Sequence, residues 1–343
     1  MDALLAAGAA VDERDNSGQT ALFRAVNANN RVIVDSLLEA GADASITDGR
    51  GNSMLFLALR DDRAAIAERL LESGADASRK NSEGSAPIHV AAANGAVQIV
   101  NALIFYGADP NVRDAEGRTP IFLALGSSNA LPILETLLPL GADPSIPDSS
   151  GTEPIIIATE AGNAEVVQLL LDYGADTRAR NDRGQTPVFI AAGRGNIEVL
   201  RLLLRFGGDP DTPDETGMTP LMMAAGSRSV SVIEELLDYG ANPNVQNDRG
   251  ETPLIIAVRD NSDQLVAALL RAGADPNTPD GTGTTPLMIA AELGSVSIAE
   301  QLLDFRANPD VQNDEGETPL FIATRDGAAQ LVELLLRTGA HPP

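Results

Sequence analysis

The chain has 343 residues, of which 24 are Lys or Arg and 49 are Asp or Glu, giving a formal net charge of −25. A field of this sign repels phosphate backbones and anionic membrane surfaces, so neither nucleic acid nor such a membrane is expected as a partner. The chain has no cysteine, which excludes disulfides, thiol catalysis and Cys-based zinc sites, and no apolar run is long enough for membrane insertion.

One short motif recurs in register along the chain. Residues 316–320 and 250–254 both read GETPL, and residues 217–221 read GMTPL. The motif's glycine stands 33 residues after the previous one, except for one step of 34, at Gly18, Gly51, Gly84, Gly117, Gly151, Gly184, Gly217, Gly250, Gly283 and Gly316. A fixed period of this length is typical of stacked repeats, so residues 1–343 are predicted to form a single array.

The array begins with a partial repeat over residues 1–17, because this stretch reads like the end of a helix and the turn after it. It also stops shortly after a predicted helix, at Gly339. Neither end has the polar face of a capping repeat. We therefore expect the sequence to be part of a longer protein.

The repeat from Gly184 shows the elements of one unit. Thr186 is predicted to cap a short helix, with Pro187 at its first position. A second helix is predicted over residues 197–206, where apolar residues recur at helical spacing. Gly207 is expected to end this helix in a left-handed conformation, before an extended exit segment.

These features resemble the ankyrin repeat over essentially the whole chain: the helix-starting Thr-Pro-Leu, the Ala-Ala pair, the Leu-Leu pair and exits such as Gly273-Ala274-Asp275. The resemblance implies an all-α fold, an ankyrin-type α-solenoid of stacked antiparallel helix pairs with projecting β-hairpin-like loops. It also implies that partners bind to the loop tips and to the concave face of the first helices.

Several repeats depart from the pattern. Ala86 and Glu153 stand where Thr usually begins the first helix, so each should lose a cap worth about 1 kcal/mol. The repeat from Gly117 has an extra residue in the turn at 126–129, and Pro139 is expected to shorten or distort its second helix. Arg306 replaces a helix-ending glycine, at a predicted penalty of about 1 kcal/mol.

No catalytic, cofactor or metal constellation is visible. The two histidines, His89 and His341, are about 250 residues apart, and cysteine is absent. Ankyrin repeats often carry a structural His at the position of His89, where it bonds to the loop backbone. The sequence therefore predicts a protein that is not an enzyme and needs no cofactor.

The resemblance assigns partner contacts to the residues flanking each motif glycine and to the pair that follows Ala-Ala. The candidates of marked chemical character are Arg60, Asp61, Asp182, Arg183, Arg194, Asp248, Arg249, Arg259, Asp260, Glu292, Asp314, Glu315, Arg325 and Asp326. Arginine is favoured at interface cores, so a mixed Arg/Asp ridge suits protein binding. The alternative is that each Arg pairs with its neighbouring acid on the surface.

The favoured function is a non-catalytic scaffold that binds a partner protein or peptide, with a basic segment as the favoured partner, between the repeats of Gly184 and Gly316. One alternative is a structural spacer or elastic array, and another is the regulatory repeat region of a larger enzyme or effector. A monomer is the default, and a cytoplasmic location is expected because residues 1–4 lack the basic start of a secretory signal.

Overall fold

The computed structural model describes residues 10–60 and 63–341, with only the backbone of Arg60. Within these residues the chain forms twenty helices in ten pairs and no β-ladder, apart from one isolated antiparallel bridge between Thr47 and Ser53. The all-α class and the repeated helix pair predicted from the sequence are therefore confirmed. The loops are hairpin-like in path but are held by turns, as described below.

The first helix of each pair has six to eight residues: α1 (Ala21–Asn27), α3 (Met54–Arg60), α5 (Pro87–Ala93), α7 (Pro120–Leu125), α9 (Pro154–Ala161), α11 (Pro187–Arg194), α13 (Pro220–Gly226), α15 (Pro253–Arg259), α17 (Pro286–Glu292) and α19 (Pro319–Arg325). The second helices are α2 (Arg31–Glu39), α4 (Ala64–Glu72), α6 (Val97–Phe105), α8 (Ala130–Leu137), α10 (Ala164–Asp172), α12 (Ile197–Arg205), α14 (Val230–Asp238), α16 (Asp263–Arg271), α18 (Val296–Asp304) and α20 (Ala329–Arg337).

The contacts divide the chain into two compact units. The first unit comprises Met1–Ala158 with Gln168–Ala175, and the second comprises Thr159–Val167 with Asp176–Pro343. In each unit a first helix packs against its own second helix and against the first helix of the next repeat. The repeats therefore contact mainly their neighbours, as expected of a linear array.

The core of each unit is a column of equivalent apolar residues. In the first unit the column includes Leu22, Leu55, Ile88 and Ile121, all completely buried. In the second unit Val188, Leu221, Leu254 and Leu287 occupy the same position and are at most 1% exposed. Each such side chain stabilises the fold by about 1.5–3 kcal/mol. Alanines at 0% exposure, such as Ala224 and Ala257, let successive first helices approach closely.

The predicted start and stop signals operate as expected in the repeat of Gly184. The Phe189 N–H donates to the hydroxyl of Thr186 at 3.3 Å, and Pro187 is the first helical residue. Gly207 follows the second helix with a φ of +86°. Arg306 takes the same left-handed conformation with a φ of +70°, which confirms the position where strain was predicted.

The threonine cap is not uniform along the array. Thr119 precedes α7 but makes no side-chain cap, and its buried hydroxyl has no hydrogen-bond partner in the described structure. Ala86 has no side chain able to cap α5, as predicted. The lost cap predicted at Glu153 stays a prediction.

At the start of α5, the side chain of His89 makes hydrogen bonds in place of the missing threonine cap. Its Nδ1 accepts the backbone N–H of Ala86 at 3.0 Å, so its Nε2 carries the proton and donates to the carbonyl of Arg118 at 3.0 Å. The ring is 2% exposed, and burial lowers the pKa of His89 while the bond to Arg118 opposes the shift. The predicted bond from this histidine to the loop backbone is present.

The irregular repeat keeps its architecture in the first unit. The extra residue lies in the turn between α7 and α8, where insertions are tolerated. Helix α8 has eight residues, whereas every other second helix has nine. Pro139 lies just beyond its end and has no N–H to donate, which accounts for the predicted shortening.

Candidate interaction surface

Each loop is closed by the Asn or Asp three residues before the motif glycine. In the repeat of Gly184, Oδ1 of Asn181 accepts the N–H groups of Arg183 and Gln185, both at 3.0 Å. Oδ1 of Asp280 accepts those of Thr282 and Thr284 at 2.9 and 3.1 Å. Asn and Asp both present this acceptor oxygen, so either residue gives the same turn geometry.

Backbone hydrogen bonds join the tips of neighbouring loops in the second unit. The N–H of Glu215 donates to the carbonyl of Arg183 at 3.2 Å, and that of Asp248 donates to Thr216 at 3.2 Å. The same link joins Asp314 to Thr282 at 3.2 Å. The tips therefore form a continuous row whose backbone is fixed.

The side chains on this row are free. We use "tip residues" for Asp182, Arg183, Asp248, Arg249, Asp314 and Glu315. All six are exposed, and none has a side-chain hydrogen bond or ion pair within the described chain. The sequence prediction thus placed six solvent-facing charges on a rigid support.

The predicted helix-end residues fall into two groups. Arg194 ends α11, is exposed, and makes no ion pair among the described residues. Arg259 and Arg325 end α15 and α19 and are instead engaged by carboxylates. The side chain of Arg60, and Asp61 as a whole, lie outside the described residues.

Arg259 bridges two loops. Its guanidinium bonds to the carboxylate of Glu251 in its own repeat and to Oδ2 of Asp280, at 2.7 Å, in the next repeat. The Asp280 side chain is only 6% exposed. Burial acts to raise the pKa of Asp280, but hydrogen bonds from Thr282 and Thr284 and the charge of Arg259 lower it.

Arg325 repeats part of this arrangement. Its Nη1 lies 2.5 Å from Oε1 of Glu317, and its Nε lies 3.0 Å from Oδ1 of Asp326. Hydrogen bonding by Arg325 lowers the pKa of Asp326, which therefore stays ionised near neutral pH. Glu292 lies between the two arginines: burial raises its pKa, whereas Arg325 and Arg259 act to lower it.

Together these residues make one surface, the charged patch, which spans three successive repeats. Its members are Glu251, Arg259, Asp280, Glu292, Glu317, Arg325 and Asp326. Five carboxylates against two guanidinium groups leave a formal charge of −3. A patch of this composition favours positively charged partner groups.

The alternative in which each Arg pairs with its neighbouring acid is wrong at most positions. Neither Arg183 nor Arg249 forms an ion pair with the aspartate before it, and both arginines are exposed. The carboxylate of Asp260 forms an ion pair with Arg228, at 3.5 Å, and not with Arg259. Among the candidates whose side chains the structure describes, only Arg325 pairs with its neighbour.

Sequence reasoning missed the carboxylates that hold the arginines. The signal was present, since Glu251 precedes Arg259 by eight residues and Glu317 precedes Arg325 by the same interval. Both glutamates directly follow the motif glycine.

In the described part of the chain, no group of three or more His, Asp or Glu side chains could hold a metal ion. Among the same residues, no helix is long and apolar enough to cross a membrane.

The sequence comparisons agree with the architecture. The family model for ankyrin repeats, described as three copies, matches overlapping segments at residues 1–81, 66–148, 88–181, 121–214, 155–247, 206–280, 231–313 and 254–343. The chain therefore belongs to the ankyrin-repeat family, whose members are generally protein-interaction modules and typically non-catalytic. No curated protein matches the chain in sequence.

Proposed function

We propose that the chain is a non-catalytic scaffold that binds a basic protein segment through the tip residues and the charged patch. The observation that carries the proposal is the row of tip residues, whose backbone is fixed while its six charged side chains have no partner in the described chain. A partner that binds to this row does not have to order its backbone, so the only ordering cost on the scaffold's side is that of the side chains, about 0.5–1.5 kcal/mol for each one immobilised.

The sign of the charged patch supports a basic partner. Its carboxylates outnumber its arginines, and Asp280 and Asp326 have lowered pKa values that keep them ionised. Arg259 and Arg325 act within this proposal by holding carboxylates in place, while Arg194 is available for direct contact. Binding as a monomer in the cytosol is part of the same proposal.

The contacts of the three arginines determine which substitutions can test the proposed binding surface. Reversing the charge of Arg194, Arg259 and Arg325 is the direct variant, but two of these arginines hold the patch together. A tip variant carrying Asp182→Lys, Asp248→Lys and Asp314→Lys removes only partnerless side chains. Its matched control carries Glu198→Lys, Glu234→Lys and Glu300→Lys, three exposed second-helix acids without ion pairs in the described chain.

The experiment is affinity capture from the source cell's lysate with the parent chain and both variants. A protein retained by the parent and the control but lost by the tip variant supports the proposal. Equal recovery by all three chains places binding elsewhere on the molecule. If none of them retains a specific protein, the spacer function becomes the better account.

A further inference from the structure

The position two residues before the helix-ending glycine is charged in eight of the ten repeats. These residues are Glu39, Glu72, Asp172, Arg205, Asp238, Arg271, Asp304 and Arg337. In the repeat of Asp304, Arg306 takes the place of the glycine. The two exceptions are Phe105 and Pro139, which occupy consecutive repeats. Two adjacent repeats therefore present apolar groups where the others present charges to solvent.

The structure leaves these apolar groups uncovered. Phe105 is 82% exposed at the end of α6, and the ring of Tyr106 meets it edge-on with centroids 5.0 Å apart. Leu140, in the next repeat, is 44% exposed and follows the exposed Pro139. We call Phe105, Tyr106, Pro139 and Leu140 the apolar patch. Contiguous exposure of this kind marks interaction sites on proteins in water.

The apolar patch borders a groove in the first unit. The groove has a volume of about 470 Å³ and is lined by side chains of α4, α6 and the segment after α8, among them Glu68, Glu72, Ile104, Phe105, Tyr106 and Leu140. A volume in this range accommodates a few side chains of a partner. The groove is therefore large enough to hold anchoring residues of a docked segment.

The charges at the groove are acidic. Glu68 and Glu72 line it, and no Lys or Arg is among the eight described residues that do so. Glu72 pairs with Arg69 at 3.2 Å, but that guanidinium also binds Asp35 at 3.3 Å, so its charge is shared between two acids. Glu68 makes no ion pair in the described chain.

We propose that this groove docks a basic amphipathic helix of another protein. Apolar side chains one turn apart on such a helix would contact Phe105, Tyr106 and Leu140, and its Lys or Arg side chains would face Glu68 and Glu72. A second copy of the chain fits poorly, because a symmetric contact would bring the same glutamates together. The surface lies on second helices of the first unit, so its test is independent of the tip residues.

The probe is a labelled peptide of about five helical turns, made of Lys and Leu with the leucines on one face. Its comparison peptide has the same composition in scrambled order. The test variant is Phe105→Glu, which installs a charged residue where Glu39 and Glu72 stand in other repeats. The control is Phe305→Glu, which alters another exposed phenylalanine, 43% exposed, at a site where the preceding residue, Asp304, is charged.

Both variants add one negative charge, so binding that is merely electrostatic would strengthen in both. Docking in the groove predicts that Phe105→Glu weakens binding of the amphipathic peptide at least about tenfold, while Phe305→Glu leaves it unchanged. A double Glu68→Lys, Glu72→Lys variant should weaken it as well.

Three outcomes would overturn the inference. They are no saturable binding of the amphipathic peptide, equal binding of the scrambled peptide, and binding that Phe105→Glu leaves intact. Sedimentation of the free chain supplies a further check. Self-association that disappears on Phe105→Glu would assign the groove to a second copy instead, and anionic vesicles bound only by the parent would assign it to a membrane.

Discussion

The guanidinium of Arg259 lies 2.7 Å from the carboxylate of Asp280, which joins the end of one first helix to the loop of the next repeat. Asp280 is the residue whose Oδ1 closes that loop, so the ion pair and the turn share one side chain. The same arginine bonds to Glu251 in its own loop. Arg259 is therefore placed to stabilise the interface between two repeats.

Replacing Arg259 with Gln should lower the free energy of unfolding by about 0.5–1 kcal/mol, the range for a partly exposed ion pair. The matched variant Arg194→Gln removes a charge without a partner and should stay within about 0.5 kcal/mol of the parent. Urea denaturation of both variants provides the comparison. Equal effects would mean that the bridge contributes nothing to stability.

The two threonines Thr252 and Thr119 should respond differently to the same substitution. Thr252 accepts the N–H of Ile255 at 3.2 Å, so Thr252→Val should cost about 1 kcal/mol of stability. The buried hydroxyl of Thr119 has no partner in the described structure, so Thr119→Val should be neutral or stabilising. Losses of equal size in denaturation experiments would show that Thr119 caps its helix in solution.

His89 should make stability depend on pH. Burial lowers its pKa in the folded protein below the usual 6.5, and its Nδ1 must stay unprotonated to accept from Ala86. The unfolded chain therefore binds the proton more readily. The His89 contribution is complete above about pH 7 and is lost as the pH falls through 6.5, by at most about 1.4 kcal/mol per pH unit.

The control for this prediction comes from the other repeats. A double variant, Ala86→Thr with His89→Phe, installs the pair found at Thr186 and Phe189 and removes the titrating group. Its unfolding free energy should change less than that of the parent between about pH 7.5 and 5.5. Parallel pH profiles for the two proteins would exclude His89 as the titrating group.

Arg306 should be replaceable with a gain in stability. Its φ of +70° is strained for a residue with a Cβ, so Arg306→Gly should stabilise the chain by about 1 kcal/mol. The reciprocal variant Gly273→Arg meets no nearby atom, so its expected loss of similar size would come from the backbone alone. A destabilising Arg306→Gly would indicate that the arginine makes a stabilising contact in solution.

The parts of the fold that depend on local sequence were predictable. Caps, first-position prolines and left-handed glycines act within a few residues, so the repeat of Gly184 has the helices and ends that its sequence indicates. The position of strain at Arg306 followed from the repeat alignment in the same way. Pro139 shortened its helix because a missing N–H has a local effect.

The arrangement of the charged patch could not be read from neighbours in sequence. The acid next to Arg259 in the sequence is Asp260. The partners of Arg259 are instead Glu251 and Asp280, which are eight and 21 residues away and are brought to it by the stacking of the loops. The tip residues were easier to predict from the sequence, because their exposure follows from their position in the turn. Both the sequence and the structure are required to recognise the apolar patch. Comparison of the repeats shows that Phe105 is unusual, and only the structure shows that it is 82% exposed.

The most direct test of the proposed function is the dissociation constant of the captured protein for the tip variant and for the second-helix control. Both chains change net charge by the same amount, so a difference between them reports location and not total charge. The proposal predicts binding at least about tenfold weaker for the tip variant than for the control. Equal dissociation constants would contradict a binding face at the tip residues.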